Sequence, residues 1–225
     1  MKKMAEEVRI MPMAKAILFD QDGTLLDSAP GIKSCVRFTL KKLGYPVIPE
    51  KDLDFFIGPP LGDCFRQCGV KEDDIQKAVD TYRLQYQTNG KYLARLYPNV
   101  ESVLKSLKGK GHRLYVCTCK GRSLAIDILK RFGLSAYFDG VYGASQDGRK
   151  STKGEIISDC LRENAIEKDA IMVGDTELDA QGAKDNKIPC LIFEPGYGDK
   201  KKIREQRPAG YFQDFASLPQ ILENL

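Results

Sequence analysis

The stretch AILFDQDGTLLDS, residues 16–28, begins as an apolar run typical of a buried strand and then turns acidic and polar. Asp20 and Asp22 follow the run directly, and Gly23 and Thr24 come next. Residues two apart on an extended chain point to the same side, so we expect both carboxylates to face one point beyond the strand. Two neighbouring carboxylates repel each other unless a cation or a proton intervenes. The stretch therefore predicts a strand that ends at a cation-binding site.

The rest of the chain alternates strand-like runs with helical patterns. Apolar residues recur with helical spacing over 100–107 and 124–132, between runs that we predict to be strands. This alternation is typical of a parallel sheet covered by helices, and it predicts an α/β core with a doubly wound, Rossmann-like sheet. The predicted strands are Ala16–Phe19, Leu114–Thr118, Phe138–Tyr142, Ala170–Val173 and Cys190–Phe193.

The interval between the first two predicted strands is far longer than one crossover helix needs. It carries helical patterns of its own, with apolar residues on one face of 32–43 and of 75–86. We interpret residues 28–95 as an inserted helical cap domain, and residues 1–27 and 96–225 as the α/β core. The expected hinges are the two connections, near Ser28–Gly31 and Leu96–Asn99.

The composition argues against several functional classes. The net charge is only +4, and the lysines and arginines are scattered along the 225 residues, so we expect no nucleic-acid partner. No apolar segment is long enough to span a membrane, and the first residues lack the apolar region of a secretory signal. The seven cysteines follow no zinc-binding spacing and are expected to be reduced thiols in a cytoplasmic protein. A small-molecule substrate is the expected partner, and both a monomer and a weak dimer fit the sequence.

Three more segments place reactive side chains after predicted strands. VCTCK ends a strand at Thr118, GRKSTKGE offers Lys150 and Lys153, and AIMVGDTELDAQ runs into Asp175 with Asp179 one helical turn later. The carboxyl ends of parallel strands meet at one edge of a sheet, so we expect these side chains to share a site. Carboxylates are hard ligands suited to Mg²⁺, and a lysine can neutralise a phosphoryl group. Together the segments predict a magnesium and phosphate site.

These residues, in this order, resemble the haloacid dehalogenase-like phosphohydrolases that carry an inserted helical cap of the C1 type. The resemblance rests on Asp20–Thr24, Thr118, Lys153 and Gly174–Asp179, and it covers nearly the whole chain. It implies a Mg²⁺-dependent phosphatase that hydrolyses a small phosphomonoester. The cap stretch FIGPPLGDCFRQ, residues 56–67, is similar to the phosphoglycolate phosphatase and pyrophosphatase branches, and a phosphoglycolate phosphatase-like enzyme is the leading expectation. The alternatives are a 5′-nucleotidase-type phosphatase, a pyrophosphatase, a sugar phosphomutase of the same superfamily, and an inactive member that binds a partner.

The resemblance also implies a role for each site residue. Asp20 would be the nucleophile that becomes an aspartyl-phosphate. Asp22 would protonate the leaving oxygen and then deprotonate the water that cleaves this intermediate. Lys153 would contact the phosphoryl group. The implied ligands of Mg²⁺ are Asp20, the backbone carbonyl of Asp22, Asp175 and, through water, Asp179. The implied phosphate-binding residues are Thr118, Cys119 with its backbone amide, and Gly23.

The sequence departs from the family pattern at two places. It reads Thr-Cys-Lys over 118–120, where many relatives have Thr-Asn-Lys, so a side-chain contact to the phosphate could be missing. The common Lys-Pro pair is absent, which leaves Lys150 as the alternative to Lys153. The stretch GASQDGRKS, residues 143–151, approaches a nucleotide-binding P-loop, but Arg149 separates the glycine from the lysine that must follow it.

Three further features have weaker patterns. Arg66 in the cap is a candidate partner for an anionic leaving group, with a surface role as the alternative. GYG at 196–198 lacks the third glycine of a dinucleotide-binding motif and is interpreted as a plain loop. His112, the single histidine, is expected at the surface.

Overall fold

A computed structural model of the chain describes residues 15–145, 152–167 and 169–225. Within these ranges, six parallel strands form one sheet in the order β5-β4-β1-β6-β7-β8, with β1 near its centre. This arrangement confirms the predicted α/β, doubly wound core. The strands are β1 Ala16–Phe19, β4 Arg113–Gly121, β5 Gly140–Ala144, β6 Ala170–Gly174, β7 Cys190–Phe193 and β8 Gly210–Phe212.

Both faces of the sheet are covered, as the side-chain alternation of β1 shows. Ile17 and Phe19 pack into one apolar cluster, whereas Ala16 and Leu18 pack into a second cluster with residues of the helices behind the sheet. Successive residues of a strand point to opposite faces, so an uninterrupted apolar run implies burial on both sides. The helices outside the interval between β1 and β4 are α5 Arg122–Arg131, α6 Lys153–Glu163, α7 Glu177–Asp185, α8 Lys200–Gln206 and α9 Leu218–Glu223, and α4 Val100–Gly109 precedes β4.

The segment predicted as a cap contains three α-helices in the described residues: α1 Ala29–Lys42, α2 Leu61–Gln67 and α3 Glu72–Thr88. The apolar positions that gave the two helical patterns are largely buried, among them Val36 and Tyr86. Pro30 stands in the first turn of α1, where its missing N–H leaves no hydrogen bond unmade. At the two ends of this segment, β2 (Leu26–Asp27) and β3 (Arg95–Leu96) pair as an antiparallel ribbon that the sequence did not predict.

Two further predictions can be compared with the structure. All seven cysteines fall in the described ranges and are free thiols, five of them buried, namely Cys35, Cys64, Cys117, Cys160 and Cys190. His112 is not at the surface as predicted: it is 7% exposed, and its Nδ1 accepts a hydrogen bond of 3.1 Å from the backbone N–H of Lys15. Within the described ranges, each helix is too short or too polar to cross a membrane.

Candidate active site

A cluster of three buried aspartates lies beyond the carboxyl ends of β1 and β6. One carboxylate oxygen from each of Asp20, Asp175 and Asp179 lies within 4.8 Å of the other two. Their side chains are almost entirely shielded from solvent, at 6%, 1% and 0% exposure. Open α/β sheets place their ligands at this edge, so the location is that of a site and the burial concentrates negative charge there. We call these residues the acid cluster.

Lys153 supplies a positive charge to the acid cluster. Its Nζ lies 2.8 Å from Asp20 Oδ2 and 2.8 Å from Asp179 Oδ1, and it donates a 3.0 Å hydrogen bond to the carbonyl of Cys117. Burial alone would lower the pKa of Lys153, but the carboxylates of Asp179 and Asp20 outweigh it and hold that pKa well above its usual value. Lys153 is therefore a cation at neutral pH. The alternative lysine, Lys150, lies outside the described residues.

The N-terminus of α6 positions Lys153. Thr152 is the N-cap: its hydroxyl accepts a hydrogen bond from the backbone N–H of Glu155, and the Glu155 carboxylate accepts one in return from the backbone N–H of Thr152. Such a capping box fixes where a helix begins. Because Lys153 is the first helical residue, the cap also fixes the point from which its side chain enters the site.

Asp20 is held from both sides. Its Oδ1 accepts a 2.7 Å hydrogen bond from the backbone N–H of Gln21, and its Oδ2 faces Lys153. Burial raises the pKa of Asp20 to about 6, and the nearby Asp179 adds to this rise while Lys153 opposes it. One ammonium group thus does not fully offset three buried carboxylates. A divalent cation would offset the charge of these carboxylates, and three hard oxygen donors suit Mg²⁺.

Asp175 is enclosed by hydrogen bonds and by glycine. Thr24 Oγ1 donates to its Oδ1 at 2.7 Å, and the backbone N–H of Tyr197 donates to its Oδ2 at 2.9 Å. A Cβ at Gly23 would lie 2.1 Å from Asp175 Oδ2, and one at Gly196 would lie 2.2 Å from Asp175 Cβ. Gly23 also has a φ of 82°, in the region that favours glycine. Both glycines are therefore required for the close approach of the chain to this carboxylate.

Asp179 joins the acid cluster to the start of α7. Its Oδ2 accepts hydrogen bonds from the backbone N–H groups of Asp175 (3.1 Å) and Thr176 (2.9 Å) and from the hydroxyl of Thr176 (2.8 Å). Thr176 is the N-cap of α7 and Asp179 is its third residue, which makes a capping box. The same side chain thus begins the helix and pairs with Lys153.

Asp22 does not contribute its side chain to the acid cluster. Its Oδ2 pairs with Lys120 Nζ at 2.8 Å, and within the described ranges its Oδ1 has no hydrogen-bond partner. Lys120 also lies over the ring of Tyr86 in α3, with Nζ 4.4 Å from the ring centroid. Burial lowers the pKa of Lys120, but Asp22 outweighs this and leaves that pKa raised. Asp22 and Lys120 form a second ion pair beside the acid cluster.

Comparison with known proteins decides the family. The family model described as haloacid dehalogenase-like hydrolase matches residues 17–193, which is most of the chain. The chain belongs to the haloacid dehalogenase-like hydrolases. It is 37% identical to a 5′-nucleotidase of Pseudomonas aeruginosa over 92% of this chain and 95% of that protein. It is 29% identical to a phosphoglycolate phosphatase of Rhodobacter capsulatus over 94% of this chain and 98% of that protein.

A solved structure gives the same assignment. The crystal structure of a predicted phosphatase from Clostridium acetobutylicum superposes on this chain with a TM-score of 0.89 at 33% sequence identity. The superposition covers 95% of this chain and 100% of the phosphatase chain. The resemblance inferred from the sequence is thereby confirmed, and so is the prediction that the chain is an enzyme. Its relatives include this 5′-nucleotidase and this phosphoglycolate phosphatase, and also the tyrosine-protein kinase PtkA of Mycobacterium tuberculosis, which is 35% identical over 81% of this chain and 62% of that protein.

The remaining predicted site residues of this haloacid dehalogenase-like hydrolase lie close to the aspartates. Thr118 is 2% exposed, and its Oγ1 accepts a 3.3 Å hydrogen bond from the backbone N–H of Lys120. Burial raises the pKa of Cys119 to about 11, although Lys153 opposes the rise, so its thiol stays protonated at neutral pH. The amide of Gly23 donates to the carbonyl of Leu26 at 2.8 Å, so a phosphate contact would have to replace that bond.

Two features noted in the sequence can be placed here. The GYG segment is a loop, as predicted, and it also contacts the site: the backbone N–H of Tyr197 donates to Asp175, and the two glycines allow the chain to pass over that residue. The guanidinium of Arg66 is held at the surface by Glu72 and Asp63, with nitrogen–oxygen distances of 2.8–2.9 Å. Lys120 is the cationic side chain that the structure places between Asp22 and the helical segment.

Proposed function

We propose that the protein is a Mg²⁺-dependent phosphatase that hydrolyses a small phosphomonoester through a phosphoryl group on Asp20. The observation that carries the proposal is the buried ammonium of Lys153, which is shared by Asp20 and Asp179 beside Asp175. This arrangement places a carboxylate nucleophile next to a cation and next to the oxygen ligands of a metal. Family membership and phosphatase relatives support the same chemistry.

The acid cluster fits the metal by its donor set. Asp20 and Asp175 would hold Mg²⁺ directly, with the backbone carbonyl of Asp22, and Asp179 would act through water. When bound, Mg²⁺ would neutralise part of the charge on the transferring phosphoryl group. Burial, together with the charge of Asp179, raises the pKa of Asp20 to about 6 although Lys153 opposes the rise, and a divalent cation would neutralise this buried negative charge.

The residues of the chain account for both halves of the reaction. An Oδ of Asp20 attacks phosphorus and forms a new P–O bond while the ester P–O bond breaks, and the leaving oxygen takes a proton from Asp22. Asp22 then removes a proton from a water molecule, whose oxygen attacks phosphorus and releases phosphate from Asp20. Thr118, the amide of Cys119 and Lys153 would hold the phosphoryl oxygens through both steps.

The substrate is one of two chemical classes. The resemblance of the cap stretch to phosphoglycolate phosphatases favours a carboxylated ester such as phosphoglycolate. The 37% identity to a 5′-nucleotidase over nearly all of both chains favours a nucleoside monophosphate instead. The free thiols fit a cytoplasmic location, where either class of substrate is found in solution.

The test compares the wild type with Asp20→Asn and with a matched control, Asp73→Asn, which changes an exposed aspartate of α3. Phosphate release is measured on phosphoglycolate, AMP and p-nitrophenyl phosphate, with Mg²⁺ and after chelation. We expect Asp20→Asn to lose activity by at least about 10³-fold, because an amide does not attack phosphorus, and Asp73→Asn to match the wild type. Acid-quenched wild type should carry phosphate on Asp20 in peptide mass spectra. Full activity of a folded Asp20→Asn protein would refute the mechanism.

A further inference from the structure

Lys120 is the buried cation that the mechanism above does not use. It lies near the end of β4, and its side chain is 9% exposed. The β4–β5 pairing shifts register between Thr118 and Gly121, so the ladder is irregular at Lys120. Irregularities of this kind re-aim side chains next to active sites. A Cβ at Gly143 of β5 would lie 2.6 Å from the Lys120 carbonyl, so the glycine permits this path of the chain.

The ammonium group of Lys120 is held from both sides of the site. Below it, Nζ pairs with Asp22 Oδ2 at 2.8 Å; above it, Nζ lies 4.4 Å from the centroid of the Tyr86 ring and 3.4 Å from its hydroxyl oxygen. Tyr86 stacks on Tyr82, with centroids 5.8 Å apart and planes 16° from parallel, and it is 1% exposed. Burial and stacking therefore hold the Tyr86 ring in one position beside the ammonium group.

Lys120 and Lys153 differ in how far their charge is balanced. Lys153 has two carboxylates and a carbonyl around its Nζ. The described contacts of Lys120 comprise one carboxylate and the face and hydroxyl of Tyr86. An aromatic face attracts a cation but carries no net charge to neutralise it. A second anion that reaches this ammonium would gain a charge-assisted hydrogen bond, against the cost of its own desolvation and of repulsion by Asp22.

We propose that Lys120, backed by the ring of Tyr86, binds an anionic group on the leaving part of the substrate. The substrates selected in this way are phosphomonoesters whose leaving group carries a carboxylate close to the ester oxygen. The inference rests on the proposed function, in which Asp22 protonates that oxygen. Because Lys120 Nζ is in contact with Asp22, a carboxylate one methylene away from the ester oxygen passes within reach of the ammonium. A nucleoside leaving group offers no such anion.

The test separates substrate selection from general catalysis. The variants are Lys120→Met and, as a matched control, Lys108→Met, which removes an outlying ion pair of 2.8 Å with Asp139. We measure kcat and KM on phosphoglycolate, AMP and p-nitrophenyl phosphate. Lys120→Met should raise KM for phosphoglycolate about 10-fold or more relative to KM for AMP and p-nitrophenyl phosphate, because only phosphoglycolate loses an ionic contact. A fall of kcat shared by all three substrates is expected as well, since Asp22 loses its partner. Lys108→Met should match the wild type on all three.

A conservative series tests the ring and the charge separately. Lys120→Arg should restore part of the preference for phosphoglycolate, because it keeps a cation in place. Tyr86→Phe should retain that preference, since the aromatic face remains, whereas Tyr86→Leu should raise KM for phosphoglycolate a few-fold. A fall of kcat on all substrates in Lys120→Met with the relative KM values unchanged would overturn the inference and make Lys120 a positioning residue for Asp22. Unchanged kinetics on phosphoglycolate would overturn it as well.

Binding provides a second measurement if Lys120→Met does not fold. The Asp20→Asn protein, with Lys120 intact, is titrated calorimetrically with phosphoglycolate and with ethyl phosphate, which lacks the carboxylate. We expect phosphoglycolate to bind at least about 10-fold more tightly. Equal affinities would contradict the inference even if the phosphatase is active on other esters. A wild-type protein that hydrolyses none of phosphoglycolate, AMP and p-nitrophenyl phosphate would instead refute the proposed function. The failure of the inference and the failure of the proposed function are therefore distinguishable.

Discussion

Lys153 and Lys120 form ion pairs with different carboxylates of the site. Lys153 is surrounded by Asp20 and Asp179, and Lys120 by Asp22 alone. Removing one partner of a buried ion pair leaves an uncompensated charge, which destabilises a protein by about 3–5 kcal/mol. The place of Lys153 could be predicted from its family motif and the helix that follows it. The place of Lys120 against Tyr86 could not, because it depends on how a segment distant in the sequence packs.

His112 gives a direct measurement of local electrostatics, because it is the only histidine in the chain. Burial lowers its pKa below the usual 6.5, and the charges of Lys15 and Lys110 lower it further, while the carboxylate of Glu223 opposes this. We expect the single imidazole resonance in a proton NMR titration to report a pKa below 6.5. The folded state then binds fewer protons than the unfolded state, so this group's contribution to stability is lost as pH falls through 6.5. A measured pKa above 6.5 would contradict the burial of His112.

The loop after β7 connects the acid cluster to the start of the helical segment. The backbone N–H of Tyr197 donates to Asp175, while its hydroxyl donates to Asp27 Oδ1 and accepts from the backbone N–H of Ala29 at 3.3 Å. Burial and the Asp27 carboxylate raise the pKa of Tyr197, so its hydroxyl keeps the proton that it donates. One residue thus fixes Asp175 through its backbone and the connection at Asp27–Ala29 through its side chain.

Tyr197→Phe tests this connection, because it removes the hydroxyl and keeps the backbone contact to Asp175. We expect a loss of about 1–2 kcal/mol in the free energy of unfolding by urea, since the half-buried Asp27 and the buried Ala29 each lose a hydrogen bond. We also expect faster cleavage by a protease near residues 27–29. Tyr211→Phe, at a tyrosine that is 44% exposed, is the matched control and should change neither. Equal behaviour of the two variants would show that the Tyr197 hydroxyl does not restrain the connection.

The architecture of the whole chain was largely predictable where the pattern was long and apolar. β1 and β7 have the predicted bounds, because every residue in them is buried. β8 was missed, since only Phe212 of its three residues is buried and no alternation can be recognised in so short a strand. β2 and β3 are shorter still. Asp20 and Asp175 were predictable as strand-end residues, whereas Thr118, also predicted to end its strand, lies within β4, which continues to Gly121. The contact of Tyr197 with Asp175 joins two loops that no local pattern links.

The three buried carboxylates predict a large effect of metal on the stability of the whole molecule. Mg²⁺ at about 100 times its Kd should stabilise the fold by about 2.7 kcal/mol and raise Tm by roughly 5–10 °C at pH 7. The shift should be smaller at pH 5, because Asp20, with its pKa raised to about 6, is then mostly protonated and protons compete with the metal. Differential scanning fluorimetry with Mg²⁺ or with a chelator measures the change in Tm at both pH values.

Two variants locate the metal site. Asp175→Asn should abolish the Mg²⁺-dependent rise in Tm, and Asp73→Asn should keep it. An unchanged rise in Asp175→Asn would exclude the acid cluster as the metal site.

The ribbon of β2 and β3 has a consequence for how such a molecule can be rebuilt. Leu26 pairs with Leu96 and Asp27 with Arg95, so the chain leaves the sheet and returns to it through adjacent strands of two residues each. The two ends of the helical segment therefore lie side by side, which is the geometry that an exchangeable insert requires. A different insert could be spliced between Asp27 and Arg95 if its own ends are equally close. New leaving-group preferences could then be acquired by exchanging one continuous piece of sequence, while the aspartates proposed to perform the chemistry stay in place.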